Sequence, residues 1–543
     1  MNKKVRVLGF SLTMLVILAV AGMGIRSLIV PTKPKEVKGY TMWDERVVEQ
    51  MQSLPVQDGG RIKPFQTLAR HYMYAMHGDR GMKILVDGEK KKLTPTERLM
   101  DVMFRPEMAD HLPSFRIDNS DILEQIGMDV KALRDRYSFD QVSPYFEKLM
   151  VRHEAIRKQI TQRGKKSLNN DEEQMYAFTN SLQTYVLLKN PFIISEEAKE
   201  LSGYPNFESF FASDYYHMER VKQAGNDKMQ VIAVLDRKIV SDATWMSDIG
   251  GFVGFSKLII NPTKGEKAWT SLGSRFDKVA KTTRDAYKVY AQQVAGLKEK
   301  HGELSDKNVD AFFSDYLLVF EAYAKQQTKR SYPKDVITEL IELEKLQNAF
   351  SSGDAGKQLD AIAAFKKEYA NHVHFGDEGG DINGEIMLNK MSYFNNGIAI
   401  LLLAGILLIA MCLCIGTPMG KVLYWCVYGL TSLACLFTII GIAHRSWIMN
   451  RSPIGTLYDT MPFIVGAGLL LLLLIELIRK KGILLGVAIC FGVAVLFLAK
   501  SFEISDARDQ MDPLVAVLKS NYWLSTHVVM ITLGYMGGIV AAC

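Results

Sequence analysis

Five long apolar runs crowd the last part of the chain, at 397–416, 422–443, 461–478, 482–499 and 523–543, and a sixth lies at 7–25. Each approaches the length needed to cross a hydrocarbon layer of ~30 Å at ~1.5 Å per residue. Such runs leave few folds open, because backbone polar groups inside lipid must all be satisfied within a helix or a closed barrel. The expected fold class is a multi-pass α-helical membrane protein. Bulk composition hides this, since 48% apolar residues would suit a soluble chain, but residues 32–395 are charged and polar throughout. The division expected is an N-terminal membrane anchor at 1–31, a large, mainly α exported domain at 32–395 between the first and second spans, and a five-span membrane domain at 396–543.

Charge sets the expected topology. Lys3, Lys4 and Arg6 precede the first run and hold the N-terminus in the cytoplasm. At 19 residues that run exceeds a signal-peptide core of ~7 to 15 and reads as an uncleaved anchor. Its small residues Ala19, Ala21, Gly22 and Gly24 keep a cleaved signal peptide as the alternative. Either way the next domain is exported, so the chain is expected in an inner (cytoplasmic) membrane with its large domain on the periplasmic or external side. Threading onward puts Lys421 and Arg479, Lys480 and Lys481 in the cytoplasm, as the positive-inside bias prefers. The connections 444–460 and 500–522 then fall outside. Arg445 and Arg451 lie on the less usual side, which calls for a local reason such as an anionic ligand.

Within the polar part, apolar residues at three-to-four spacing predict helices over 145–160, 175–188, 276–297, 309–323, 336–350 and 359–369. Short strands are expected at 229–240 and 252–260. Gly59 and Gly60 form a turn before a helix started by Pro64. An anion at that helix start, beside Arg61 and Lys63, was weighed against a plain structural turn, and the turn is preferred. His372 and His374 beside Asp377 and Glu378 are read as a solvated loop before the membrane entry rather than a metal site. All six cysteines lie in the apolar part, so no disulfide framework holds the soluble domain. Cys412 and Cys414 point ~200° apart on a helix and are read as packing residues. No Cys-x-x-Cys-His occurs, which excludes a c-type cytochrome. A net charge of +6 without a basic, aromatic-laced face gives no nucleic-acid signature.

His527 is the chemically odd residue. It lies about one turn inside the run that Tyr522 and Trp523 open, and amphipathic rings of that kind sit at membrane boundaries. An imidazole there either bonds a neighbouring carbonyl or serves a ligand at the membrane surface. Its surroundings carry a resemblance. Pro453, Leu457, Tyr458 and Asp459 in the stretch 444–463 form one motif. Pro513, Leu514, Leu518, Ser520, Tyr522, Trp523, Leu524, His527 and Val528 form a second. In this order they resemble the haem-handling membrane protein of System II cytochrome c biogenesis, the CcsA/ResC type, over residues 420–543. Thr456 stands where that family usually has Asn, and Asp459 where it has Glu.

The resemblance implies the N-terminal part of a fused CcsBA-like protein that binds haem b and presents it at the outer membrane face for covalent attachment to apocytochrome c. His527 falls where an external haem-ligating histidine is expected. The family's tryptophan-rich segment and second external histidine are not in these residues, and are expected on a continuation of the chain or on another chain. Besides apocytochrome c and membrane lipid, a ResB/CcsB-type assembly partner is expected. The residues fit a porphyrin's needs on chemical grounds. His527 is the candidate axial ligand of the haem iron, Tyr522 and Trp523 offer a flat surface, and His444 is a candidate second ligand. Arg445, Arg451 and Lys519 suit the propionates, with a lipid-phosphate contact as the alternative for the two arginines. No residue is assigned to bond formation, although the chain would belong to a haem-attachment system. The competing reading is a membrane-anchored binding or scaffold module without haem. A transporter is disfavoured, because Glu476 is the only acidic residue inside a run.

Overall fold

A computed structural model describes residues 34–58, 61–79, 81–117, 120–128, 135–189, 224–255, 260–261, 270–302, 307–328, 334–372, 381–506, 511 and 521–542. The apolar run at 7–25 and the pair His374 and Asp377 lie outside them.

The soluble part begins with β1 (Lys35–Glu36) and α1 (Glu45–Gln52). Strands β2 (Pro55–Asp58) and β3 (Arg61–Pro64) pair antiparallel, with Asp58 opposite Arg61. The sequence reading had the turn but not this hairpin. Pro64 ends β3 and caps α2 (Phe65–His77), where its missing N–H costs nothing because first-turn donors lack helical partners. Strands β4 (Met82–Val86) and β5 (Glu89–Leu93) are joined by Asp87 and Gly88, at φ 50° and 80°. That is the backbone a two-residue type I′ hairpin requires. β1 adds in parallel to β4, giving the order β1-β4-β5.

α3 (Pro95–Phe104) starts with a capping box between Thr94 and Glu97 and a proline at its first position, a strong helix start. Then come α4 (Pro106–His111), β6 (Phe115–Ile117), α5 (Ser120–Ile126), β7 (Asp135–Tyr137, paired with β6), α6 (Phe139–Val142), α7 (Phe146–Arg163) and α8 (Asn170–Leu188). α9 (Lys228–Phe255) is one long helix, which corrects the strand expected at 229–240 and the first four residues of that expected at 252–260, of which 256–259 lie outside the described residues. Ile260 is extended, in the two-residue pairing of β8 (Ile260–Asn261) with β9 (Thr270–Ser271). Ile232, Leu235 and Ile239 recur at helical spacing and are buried against Tyr290, Phe312 and Tyr316, from α10 (Leu272–His301) and α11 (Val309–Thr328). α12 (Lys334–Ser351) and α13 (Ala355–His372) return to the first core, where Leu343, Phe350 and Ile362 pack with Met51, Phe65, Met100 and Tyr185. The helices expected from periodicity in this part are all present.

α14 (Ile382–Met391) leads into α15 (Tyr393–Leu413) through Ser392, a non-glycine residue at φ 44°. α16 (Pro418–Met449), α17 (Leu457–Arg479), α18 (Ile483–Asp506) and α19 (Asn521–Ala542) follow. Among the described residues, four helical segments are long and apolar enough to cross a membrane: Ile382–Leu413, Pro418–Met449, Leu457–Arg479 and Ile483–Glu503. α19 covers residues 523–542 of the last apolar run. The protein is therefore mainly helical and carries a multi-helix membrane region. Its core joins Leu401, Leu408, Val427, Leu469, Ile489 and Leu496, while Ile406, Leu436, Leu474 and Leu498 stay exposed on the outside. So many outward aliphatic side chains would be an aggregation liability in water and are ordinary in lipid. Glycines bring the helices close: a Cβ on Gly441 would meet Tyr393 Cβ at 2.9 Å, and one on Gly492 would meet Leu401 at 2.8 Å. Cys412 is buried in this core.

A buried charge network holds α3 to the start of the lobe. Asp101 is fully buried and accepts hydrogen bonds from Tyr40 Oη at 2.9 Å and Trp43 Nε1 at 2.8 Å. Its counter-charge is Arg98, at 3.6 Å and also buried. Arg105 lies over the Trp43 ring. Replacing Asp101 by Leu strips a buried guanidinium of its partner, and is expected to destabilise the lobe by ~3–5 kcal/mol, read as a fall in Tm. Burial, opposed by Arg98, pushes Asp101 up to about 6 from 3.8. Between those two values the folded lobe keeps a proton that the unfolded chain has released, so this group's contribution to stability falls as pH rises through the window. The difference in Tm between wild type and Asp101→Asn, followed from pH 4 to 7, should change across that window; a flat difference would contradict the assignment.

Candidate functional site at the junction of lobe and membrane helices

The ends of α15, α16, α17 and α18 that face the soluble lobe carry His444, Arg445, Asp459, Lys500 and Glu503. α16 is 32 residues long, ~48 Å at ~1.5 Å per residue. Its apolar stretch 422–443 fills a ~30 Å layer, so His444 to Met449 stand clear on the lobe side. Lys421, Arg479, Lys480 and Lys481 lie at the opposite end.

The lobe is attached there by a buried clamp. Glu385 of α14 has 1% of its side chain exposed and receives both guanidinium nitrogens of Arg61, at 2.7 and 2.9 Å. Thr67 Oγ1 donates to the same carboxylate at 2.5 Å. One turn on, Asn389 donates to Thr67 Oγ1 at 3.0 Å and accepts from Arg70. Arg61 thus has a carboxylate of the chain itself as its anion, and the fully buried Lys63 pairs with Asp58 at 3.0 Å. Gly59 and Gly60 lie outside the described residues, and both neighbouring cations have carboxylate partners within the chain.

Arg445 and Arg451 also meet an internal anion. Arg445 Nη2 lies 2.8 Å from Asp459 Oδ1, and Arg451 Nη2 lies 3.8 Å from Oδ2. Asp459 is almost fully buried and accepts from the backbone N–H of Thr456 at 3.1 Å, completing a capping box at the start of α17. Arg445 also stacks over Tyr458, 4.9 Å from the ring centre. Asp459 is therefore the local reason for two arginines on this side. The Thr-x-x-Asp spacing of a capping box was available to find it.

His444 sits edge-on to Tyr393, with ring centres 5.9 Å apart. His527 is exposed on α19, whereas Thr532 and Met536 are the buried residues of that helix. At ~100° per residue the imidazole lies ~160° round from them. Among the described residues it makes no hydrogen bond or ring contact with His444, Arg445 or Arg451, so the structure does not gather these side chains round one point. Tyr522 and Trp523 lie in the first turn of α19, with side chains outside the described residues, and Lys519 lies outside them altogether.

Between the clamp and the helix ends is a crevice of about 80 Å³, lined by Arg70, His71, Asn389, Tyr393, Arg445, Lys500 and Glu503, with Leu388, Ile398 and Leu496 as its apolar side. Arg70, His71, Lys500 and Glu503 were not singled out from the sequence, since only the fold brings α2 over α18. A pocket enclosing a ligand the size of a drug has a volume of ~300 Å³ or more, so a porphyrin does not fit inside this one. No group of three histidine, cysteine or acidic side chains suited to a metal ion occurs among the described residues. In comparison with known proteins, no family model and no curated protein matches the chain.

Removing one partner of the clamp leaves a buried charge without compensation. Glu385→Ala is expected to cost ~3–5 kcal/mol of docking, seen as faster hydrogen exchange in 382–391 and in α2. Exchange equal to wild type would show that the clamp does not hold the lobe.

Proposed function

We propose that the chain is a haem-handling membrane protein of cytochrome c biogenesis, which binds haem b at the lobe side of its membrane helices and presents it to apocytochrome c. The observation that carries this reading is an exposed imidazole, His527, in the second turn of the apolar helix α19, set within the motif 513–528. Imidazole is a common axial ligand of haem iron, and exposure leaves its ring open to an incoming cargo. The small volume of the junction crevice argues that haem rides on the outer side of α19. Tyr522 and Trp523, one turn before His527, are the flat side chains nearest in sequence. Arg445 and Arg451 are engaged with Asp459, so in this reading they fix the 450–456 connection, and Lys519 is left as the cation for a propionate.

The lobe side is taken as the exported face. Supporting this, Lys421, Arg479, Lys480 and Lys481 collect at the other end, where the positive-inside bias places the cytoplasm, and the two lobe-side arginines share a buried carboxylate. The cargo brings the reactive vinyl groups, to which the thiols of a Cys-x-x-Cys-His segment add to form thioethers. The protein's part is to hold the ring in place and leave one edge open. The lobe then serves as the docking surface for apocytochrome or an assembly partner.

A haem-free scaffold is the second reading, favoured by how fully the junction's charged groups are taken up internally. Absorption spectra of the full chain, purified in detergent from haem-replete cells, separate the two. The haem reading expects a Soret band, with His527→Ala lowering haem per protein roughly tenfold, ~1.4 kcal/mol of binding, at unchanged Tm. His444→Ala is expected to lower it less. A colourless wild type, or equal haem in His527→Ala, supports the scaffold.

A further inference from the structure

We propose that the outer face and free edge of the β1-β4-β5 sheet bind an extended acidic segment of a partner protein. Strand alternation sorts the side chains of this sheet. Met82, Ile84 and Val86 of β4 and Leu93 of β5 are buried on one face, whereas Lys83, Lys90 and Lys92 are exposed on the other, round the half-buried Leu85. Lys83 stands directly opposite Lys92 in the register, and Lys90 opposite Leu85. Like charges placed opposite each other across a ladder destabilise a sheet. Among the described residues none of the three lysines makes a hydrogen bond or an ion pair, although Glu36, opposite Leu85 on β1, and Asp87, in the turn, belong to the same sheet. Lys91, from the other set of alternating positions, does pair with Glu89, at 2.7 Å.

Lysines on a border strand commonly keep other chains from pairing with it, and that role accounts for Lys90 and Lys92. It does not account for Lys83. That residue is on the central strand, where no edge needs guarding, and its charge only adds repulsion to Lys92. An anion held against both removes the repulsion. β5 supplies the rest of the site: it borders the sheet in the order β1-β4-β5, and among the described residues no further strand pairs with its outer side. The N–H and C=O groups there suit an added strand. Such a strand repeats its side chains every second residue, as Lys90 and Lys92 do, ~7 Å apart. Carboxylates at alternate positions then meet both lysines as cross-strand pairs, with Lys83 behind them. A lipid phosphate would engage the lysines and leave the β5 edge unpaired, so the combination commits the site to a peptide.

The site is on the lobe and its test contains no haem, so this proposal and the haem reading fail separately. The full chain in a neutral detergent at low salt is titrated with a fluorescent peptide of about ten residues alternating Glu and Val, and binding is read by anisotropy. Wild type and Lys91→Gln are expected to bind alike, with affinity falling as salt rises. Lys83→Glu and Lys92→Glu are each expected to weaken binding roughly tenfold. Lys92→Glu also turns a Lys–Lys pair into a Lys–Glu pair, so its Tm should hold or rise, which separates lost binding from lost folding. Lys90→Gln, with a smaller loss, serves if either charge reversal lowers Tm. Equal binding of a peptide alternating Gln and Val, or wild-type affinity in the lysine variants, would overturn the proposal. So would a wild type that ignores the acidic peptide and binds phosphatidylglycerol vesicles through the same lysines, which would assign the face to a membrane surface.

Discussion

The ion pair of Arg61 with Glu385 joins residues 324 positions apart and decides how the soluble and membrane parts meet. Taking two charges out of water is costly, and the cost is recovered only when their geometry is good and their remaining valences are filled. Both conditions hold: the guanidinium is bidentate and Thr67 supplies a further donor. Such a pair tolerates little slippage, because a small shift of α14 along α2 would strand a buried carboxylate. The lobe is thereby set in one register over the helix ends. Ser392, left-handed just after α14, then turns the chain into α15, and the crevice is the space left between two bodies held in that register.

A second carboxylate organises the membrane side. Asp459 caps α17, balances Arg445 and reaches Arg451, so one buried acid fixes the end of α16, the start of α17 and the connection between them. The same residue bears on topology. Arginines at the end of a span are costly to hold near the apolar layer, and a partner built into the adjoining helix removes much of their penalty.

Much of the fold was legible in the sequence. Amphipathic spacing reveals a helix whenever one face is buried, as for α7, α8 and α10 to α13, and long uncharged runs reveal membrane helices without any pairing information. α9 was misread because Val231, Ile232 and Val234 are β-branched and suggest a strand, whereas burial follows Ile232, Leu235 and Ile239, the helical interval. The β2–β3 hairpin was hidden by its brevity, four residues a side. The junction was the least legible part. Arg61 was noticed, with an outside anion set below a plain structural turn, but nothing local to it announces Glu385. Asp459 was read as a family substitution and not as a partner for arginines fourteen and eight residues before it.

The middle of the membrane bundle bears on what such a protein is built to do. Its described core is aliphatic, with Thr431 and Thr438 turned back onto the carbonyls of Val427 and Ala434 at 2.8 and 2.9 Å. Glu476, fully buried, accepts from Tyr424 at 3.1 Å and from the Gly482 N–H at 2.5 Å, which ties it to the turn between α17 and α18 at the end away from the lobe. Polar groups thus gather at the two ends of α15 to α18, and the packed middle provides no chain of charged or hydrogen-bonding side chains between them. A core of this kind costs a charged cargo several kcal/mol to enter. Among the described residues of this bundle, polar side chains are therefore concentrated where the helices leave the apolar layer.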